Sequence, residues 1–345
     1  MNDSRRVLSL DFSRGIAIVL VVWAHADIKL MAPSFYTEHL ELMHDVIYSF
    51  HMPFFFIISA ALLRKTVDKY NLDWTGLFRK VTSSLLIPFY SLGICFFIIN
   101  IITPKALLPS APSARQMITA MLIRQSDTEN LPSGVLWFLF TLIIFAILIY
   151  AVFKSTRITQ YGVLIAAILL KLFHPYFDSI QIFGFNRVPY YFVFYVVGYM
   201  KSDWILNERV EKLTLFFPLL LIVWYLSFIC MPFQKPLFHM ICGISGSFFL
   251  LGLAINLKHS LNKRPFRFID VCGSNSLLIF VFHMPFFVII RKVLYAYDLS
   301  SSFVGFGLAV TSGVLLPLSF GKVLSFNKIL YKLLFGKPYY IEKNV

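Results

Sequence analysis

Residues 5–25 read RRVLSLDFSRGIAIVLVVWAH and place a histidine eleven positions after an arginine. In a helix, eleven residues bring His25 back to within about 20° of Arg14 and about 16 Å further along the axis. Asp11, three residues before Arg14, lies on the same face. Ionisable groups in an apolar helix normally face the protein interior and mark functional sites. The stretch therefore predicts a polar pathway, with Asp11 and Arg14 near one membrane surface and His25 deep inside.

The composition of the chain is that of a membrane protein. It has 345 residues, of which 58% are hydrophobic and 14% charged, and its mean hydropathy is +0.75. Soluble domains carry about 25% charged residues, so the chain is expected to cross the membrane several times. The net charge of +14 then indicates cytoplasmic loops, not a nucleic-acid-binding surface. None of the four cysteines has metal-ligand spacing.

Apolar segments recur along the whole chain and predict an all-α polytopic membrane protein with about ten transmembrane helices. The predicted spans are 13–31, 44–63, 82–103, 134–153, 161–174, 188–201, 213–232, 237–257, 272–291 and 302–321. Lys and Arg concentrate in the loops on the side of the N-terminus, which places both termini in the cytoplasm. Residues 1–321 are expected to form one membrane domain. Residues 322–345 alternate Lys with apolar residues and are expected to form a basic amphipathic cytoplasmic tail.

Two further histidines occur in identical tetrapeptides, His-Met-Pro-Phe, which begin at His51 and at His283. Counted from the ends of their predicted helices, both lie at nearly the depth of His25. Three imidazoles are therefore expected to meet in one layer, with Ser276 on the same helix face as His283. Buried histidines that only satisfy the protein core are the alternative. A metal site is not expected, because no carboxylate or cysteine joins the histidines at ligand spacing.

A cluster of cations is predicted on the cytoplasmic side, where Arg64 ends the second span and Arg79 and Lys80 precede the third. Guanidinium and ammonium groups are the usual partners of phosphates, so this cluster is a candidate phosphate-binding site. Ordinary positive-inside charge would explain it equally well. Trp137 begins the fourth span and by itself is typical of an interfacial aromatic residue.

Taken together and in chain order, these motifs resemble the integral-membrane acyltransferase family 3 and, within it, the fucose-4-O-acetylase-like group. The matching residues are 10–15 with His25, 48–59, Arg79 and Lys80 with Pro88, 137–139, and Gly273, Ser276, His283 and Pro285. The chain departs from the family pattern at Ala60, where a glycine usually follows the serine, and at Ser83, where many members have an arginine.

The resemblance implies an enzyme that moves an acyl group, usually acetyl, from cytoplasmic acetyl-CoA or another acyl-CoA to a sugar hydroxyl of a lipid-linked or surface polysaccharide. It implies the bacterial cytoplasmic (inner) membrane, contacts with membrane lipid, no metal and no nucleic acid. His25 would act as the base or as the carrier of the acyl group. Asp11 and Arg14 would position the donor, and His51 and His283 would orient the reacting groups. Arg64, Arg79 and Lys80 would bind the phosphates of the donor. Trp137 and Ser276 would contact the substrate.

Three other functions are compatible with a polytopic chain. A secondary transporter or flippase of a glycan or lipid intermediate would be expected to show inverted repeats, which the sequence lacks. A polysaccharide polymerase or ligase would be expected to have a large outer loop rich in acidic or arginine residues, whereas the loop at 104–133 has only Asp127 and Glu129 as acids. A proton-coupled channel would leave the cationic cluster without a role.

Overall fold

The computed structural model describes residues 3–26, 38–104, 111–155, 159–206, 217–229, 236–260, 267–299 and 303–336. Within these ranges the chain is helical and has no β-strand. Its α-helices are α1 (Asp3–His25), α2 (Glu38–Tyr70), α3 (Trp74–Val81), α4 (Ile87–Ile102), α5 (Ala114–Leu122), α6 (Trp137–Ser155), α7 (Gln160–Leu172), α8 (Arg187–Met200), α9 (Ser202–Leu206), α10 (Phe217–Ile229), α11 (Pro236–Ser260), α12 (Arg267–Ser274), α13 (Ser276–Ala296), α14 (Phe303–Leu324) and α15 (Lys328–Phe335). A five-residue π-helix, Thr82–Leu86, joins α3 to α4.

Six helical segments of the described chain are long and apolar enough to cross a membrane. They are Met43–Tyr70, Trp74–Ile102, Gly134–Lys154, Pro236–Lys258, Ser276–Ala296 and Val304–Leu324. The chain is therefore an all-α, multi-pass membrane protein, as predicted. The four other predicted spans fall on α1, which carries several charges, and on α7, α8 and α10, which have 13 or 14 residues. Parts of the predicted spans, at 27–31, 213–216, 230–232 and 302, lie outside the described residues.

The first helix lies in the middle of the bundle. It packs against α2, α11, α12, α13 and α14. Apolar side chains on several of its faces are buried, among them Phe12, Ile18, Val21 and Val22. Because α1 is surrounded by other helices, the described polar side chains of Asp11, Arg14 and His25 contact protein.

Two glycines allow α1 and α12 to touch backbone to backbone. A Cβ at Gly273 would lie 1.6 Å from the carbonyl oxygen of Asp11, and a Cβ at Gly15 would lie 2.0 Å from that of Ile269. No other residue fits at such separations. This close approach brings the residues that follow Gly273 next to Asp11 and Arg14.

The described part of the predicted tail is packed on the membrane domain. In α15, Tyr331, Leu334 and Phe335 are buried, and the Phe335 ring lies 6.2 Å from that of Phe282 in α13. Gly336 ends α15 in a left-handed conformation against the π-helix. The apolar face of this segment thus contacts protein, while its other face carries the exposed Lys328 and Lys332. Residues 337–345 lie outside the described residues.

Candidate active site

Three helices bring three imidazole rings together. His25 is the last residue of α1, His51 lies inside α2, and His283 lies inside α13. The ring centroid of His25 is 5.1 Å from that of His283 and 6.2 Å from that of His51. His51 and His283 are buried, with 4% and 0% of their surface exposed, and His25 is half-buried. We call these residues the histidine trio; the structure brings them together as the sequence predicted.

All three rings are held in the same tautomer by their own helices. The Nδ1 atoms of His25, His51 and His283 lie 2.8, 3.0 and 3.1 Å from the carbonyl oxygens of the residues four positions earlier. A carbonyl oxygen only accepts hydrogen bonds, so each Nδ1 carries the proton and donates it. In the neutral ring, Nε2 is then left as a free base. The Nε2 atom of His283 is buried and has no hydrogen-bond partner in the described part of the protein.

Tyr48 belongs to the same cluster, although the sequence analysis gave it no role. Its ring centroid lies 4.8 Å from that of His51, 5.5 Å from that of His25, and 4.2 Å from that of His44, on which it stacks. Tyr48 precedes His51 by three residues, and this spacing places both side chains on one helix face. The three-residue spacing could therefore have predicted that Tyr48 joins the histidine trio.

A second polar layer lies at the other end of the predicted pathway. Arg14 contacts Asp11 at 3.4 Å and donates from Nη2 to the Ser276 hydroxyl at 3.0 Å. Ser274 donates to the other carboxylate oxygen of Asp11 at 3.2 Å. Residues more than 260 positions apart are joined here, because Gly15 and Gly273 let α1 and α12 approach so closely. The sequence placed Asp11 and Arg14 on one face but did not identify Ser274.

We call Asp11, Arg14, Ser274 and Ser276 the arginine layer. A cavity of about 170 Å³ lies next to it. Its polar lining consists of Arg14, Ser59 and Ser276, and the rest of its wall is apolar. Phe280 also lines it, and the Phe280 ring lies 6.1 Å from the ring of His283. Along α13, Ser276, Phe280 and His283 follow one another at successive turns. The cavity therefore lies beside the arginine layer, and Phe280 lies between its wall and His283.

The predicted cytoplasmic cations do not form one contact network. Arg64 donates from Nε to Asp68 at 2.6 Å, and its guanidinium lies 5.0 Å from the ring centroid of Tyr199. Arg79 and Lys80 are exposed in the last turn of α3. In the described structure no hydrogen bond or ion pair joins Arg64 to either of them. Their role in binding a donor stays a prediction.

Trp137 is not an isolated interfacial residue. Its ring stacks on that of Tyr191 with centroids 5.5 Å apart and an interplanar angle of 25°. The guanidinium of Arg187 lies 4.6 Å from the centroid of the Trp137 ring. Trp137 therefore joins α6 to α8 through an aromatic and a cationic contact.

The described residues contain no group of three or more His, Cys, Asp or Glu side chains placed to hold a metal ion. The arrangement offers bases in a buried layer, a guanidinium in a second layer and a largely apolar cavity beside the guanidinium. Such groups can take up a proton and bind a polar or anionic group.

A comparison with protein families gives the class of the protein. Residues 7–322 match the family model of an acyltransferase domain, so the chain belongs to acyltransferase family 3 and is a membrane acyltransferase. No curated protein and no solved structure matches the chain.

Proposed function

We propose that the protein transfers an acyl group, in the first place acetyl, from cytoplasmic acyl-CoA to a sugar hydroxyl of a lipid-linked or surface polysaccharide. The observation that carries the proposal is the histidine trio, whose three Nδ1 atoms donate to their own helices and leave Nε2 as a base. Phe280, next to His283, lines the cavity that Arg14 also lines. The likeness of the motifs to the fucose-4-O-acetylase-like group supports a sugar as the acceptor.

His25 is the base in the proposed reaction. Its Nε2 takes the proton of the acceptor hydroxyl while the hydroxyl oxygen attacks the thioester carbonyl. The carbon–sulfur bond breaks, and the proton passes from Nε2 to the leaving thiolate, which gives free CoA. His51 and His283 flank His25 and orient the two reacting groups. Transfer through an acyl-histidine would use the same Nε2 atom.

The donor is proposed to enter from the arginine layer. The cavity offers an apolar path for the thioester arm, with Arg14 and Ser276 as hydrogen-bond donors in its wall. Asp11 holds the guanidinium of Arg14 in place. Arg79 and Lys80, exposed on α3, together with Arg64, would then meet the phosphates of CoA in the cytoplasm.

The acceptor is proposed to approach from the opposite side, where Trp137 lies at the start of α6. This arrangement follows from the ten-span topology with both termini in the cytoplasm, and it would suit a bacterial cytoplasmic membrane. Residues 1–321 form the catalytic domain in this proposal, and 322–345 are its cytoplasmic tail.

The deciding experiment measures transfer from radiolabelled acetyl-CoA into membrane glycan. Membranes that contain the wild-type protein are compared with membranes that contain His25→Gln at matched expression. The amide of glutamine keeps a polar side chain but removes the base, so labelling is expected to fall by about 10²–10⁴-fold.

His259→Gln provides a matched control, because it removes a histidine of α11 that is not a member of the trio. Labelling in this variant should equal that of wild type. Undiminished labelling in His25→Gln would remove His25 from the chemistry. If wild type transfers no label from several acyl-CoA donors, acyl-CoA is not the donor, and the flippase alternative becomes the better hypothesis.

A further inference from the structure

A lysine is fully buried near the start of the loop between α7 and α8. Lys171 has 0% of its surface exposed, and its Nζ lies 3.0 Å from Nδ1 of His239 in α11. Nζ also lies 3.5 Å from the ring centroid of Tyr190. His174 completes the group, since its ring is 4.8 Å from that of Tyr190. We call Lys171, His174, Tyr190 and His239 the lysine cluster.

The charge of Lys171 is not neutralised by an acid in contact with it. Among the described residues no carboxylate lies within ion-pair distance of Nζ. The exposed Asp178 interacts with it only over a longer distance. Burial without a counter-ion disfavours the charged form of a lysine, and in a membrane protein such groups usually serve function. An anion that arrives from outside would favour the ammonium form and pair with it.

Arg187 at the start of α8 is a second cation with hydrogen-bonding capacity to spare. One terminal nitrogen donates to the carbonyl oxygen of Ser126 at 3.3 Å, but its Nε is buried and has no partner in the described structure. Arg187 interacts electrostatically with both Tyr190 and Tyr191. Lys171 contacts Tyr190 and Arg187 interacts with it, so the two cations lie near the same tyrosine.

Aromatic rings connect the two cations. Arg187 lies over Trp137, Trp137 stacks on Tyr191, and the Tyr191 ring is 6.3 Å from that of His239, which contacts Lys171. His239 is also close enough to interact electrostatically with His51 of the histidine trio. Flat aromatic faces suit the apolar face of a sugar ring, and paired cations suit carboxylate or phosphate.

We propose that Lys171 and Arg187 form an anion subsite that binds the carboxylate or phosphate of an acidic sugar acceptor. The inference rests on the proposed function in taking the ligand to be a sugar. Lys171 is covered by the half-buried ring of Tyr190, so binding requires this ring to turn away from Nζ.

The test measures binding without any acyl transfer. The purified full-length protein is titrated with methyl β-D-glucoside, methyl β-D-glucuronide and the 6-phosphate of methyl β-D-glucoside, and its melting temperature is followed. Wild type should bind at least one acidic glycoside about tenfold more tightly than the neutral one, and the stronger of the two identifies carboxylate or phosphate. Lys171→Met, which keeps an unbranched side chain, should lose this preference.

Lys154→Met is the matched control. Lys154 also contacts a tyrosine, with Nζ 2.6 Å from the Tyr150 hydroxyl, but it lies at the opposite end of α6 from Trp137. The control should keep the wild-type preference. If Lys171→Met does not fold, Arg187→Gln tests the second cation and should weaken the preference.

Three results would overturn the subsite: equal binding of acidic and neutral glycosides by wild type, no binding of either acidic glycoside, or an undiminished preference in a folded Lys171→Met protein. Failure of the proposed function gives a different pattern. In that case the acidic preference would persist while no acyl group passes from acyl-CoA to any glycan.

Discussion

The histidine trio and the lysine cluster use the same side chain in different ways. In the trio, each Nδ1 donates to a carbonyl oxygen of its own helix, which leaves Nε2 of the neutral ring as a base. In the lysine cluster, Nδ1 of His239 lies 3.0 Å from Nζ of Lys171. The trio therefore presents bases, whereas His239 positions a lysine. The contacts of the trio are local, and the contact of His239 spans 68 residues of the chain.

This contrast predicts different kinetic consequences for two histidine substitutions. His283→Gln should lower kcat for acyl transfer by about 10²-fold, because it removes a ring that orients the reacting groups beside His25. His239→Gln should leave kcat within about threefold and raise KM for the acceptor, because it removes the ring that contacts Lys171. Steady-state kinetics with saturating acyl-CoA separates the two. Equal losses of kcat in both variants would abolish the distinction between the clusters.

The backbone contact between α1 and α12 holds the arginine layer together. Gly273→Ala places a Cβ 1.6 Å from the Asp11 carbonyl oxygen, so α1 and α12 must separate. Overpacking of this kind costs about 1–3 kcal/mol, and the change should lower the midpoint of unfolding and reduce acyl transfer.

Gly307→Ala is the control, because a Cβ at Gly307 has no atom within 4 Å. It also lies inside a helix, so both substitutions gain the same helical propensity. The Gly307 variant should be as stable as wild type or slightly more stable. If Gly273→Ala behaves in the same way, the backbone contact is not what aligns Asp11 and Arg14.

The sequence was sufficient to predict the trio because its signals are local. The spacing from Arg14 to His25 and the two His-Met-Pro-Phe tetrapeptides fix a helix face and a position along each helix. Once three such helices pack side by side, their imidazoles have to meet. The same reasoning placed Asp11 beside Arg14, and helical spacing from His51 would have added Tyr48.

The lysine cluster could not be predicted, because its contacts depend on which helices are neighbours. In the sequence, Lys171 falls near a loop and reads as an ordinary surface cation. The structure buries it, because α7 packs on α8 and α11 lies against both. Ser274 was missed for a similar reason, since its contact with Asp11 follows from glycines in two distant segments. Helix pairing is a property of the whole bundle, and no single segment encodes it.

A smaller effect is expected for the hydroxyl of Ser276, which contacts the guanidinium of Arg14. Ser276→Ala removes the hydroxyl that accepts from Arg14 at 3.0 Å. A hydrogen bond to a charged group contributes about 1.5–3 kcal/mol, and part of the loss is recovered through Asp11, so KM for acyl-CoA should rise about fivefold. Ser247→Ala is the control, because the Ser247 hydroxyl donates to the Gly243 carbonyl oxygen of its own helix. An unchanged KM in Ser276→Ala would remove Arg14 from donor binding.

The smallest effect is expected for the exposed cations Arg79 and Lys80. Its dependence on salt distinguishes these residues from the buried Lys171. The double substitution Arg79→Gln and Lys80→Gln should raise KM for acyl-CoA about two- to threefold at low ionic strength, because exposed charges attract the donor phosphates weakly. At about 0.5 M salt the difference from wild type should vanish, since screening is then nearly complete over a few ångströms.

By contrast, the effect of Lys171→Met on acidic glycosides should persist in salt, because Lys171 is fully buried. Lys201→Gln, which removes an exposed lysine just after α8, controls for general positive charge and should not change KM. A KM effect of the α3 pair that resists salt would instead indicate direct contact with the donor in an enclosed site.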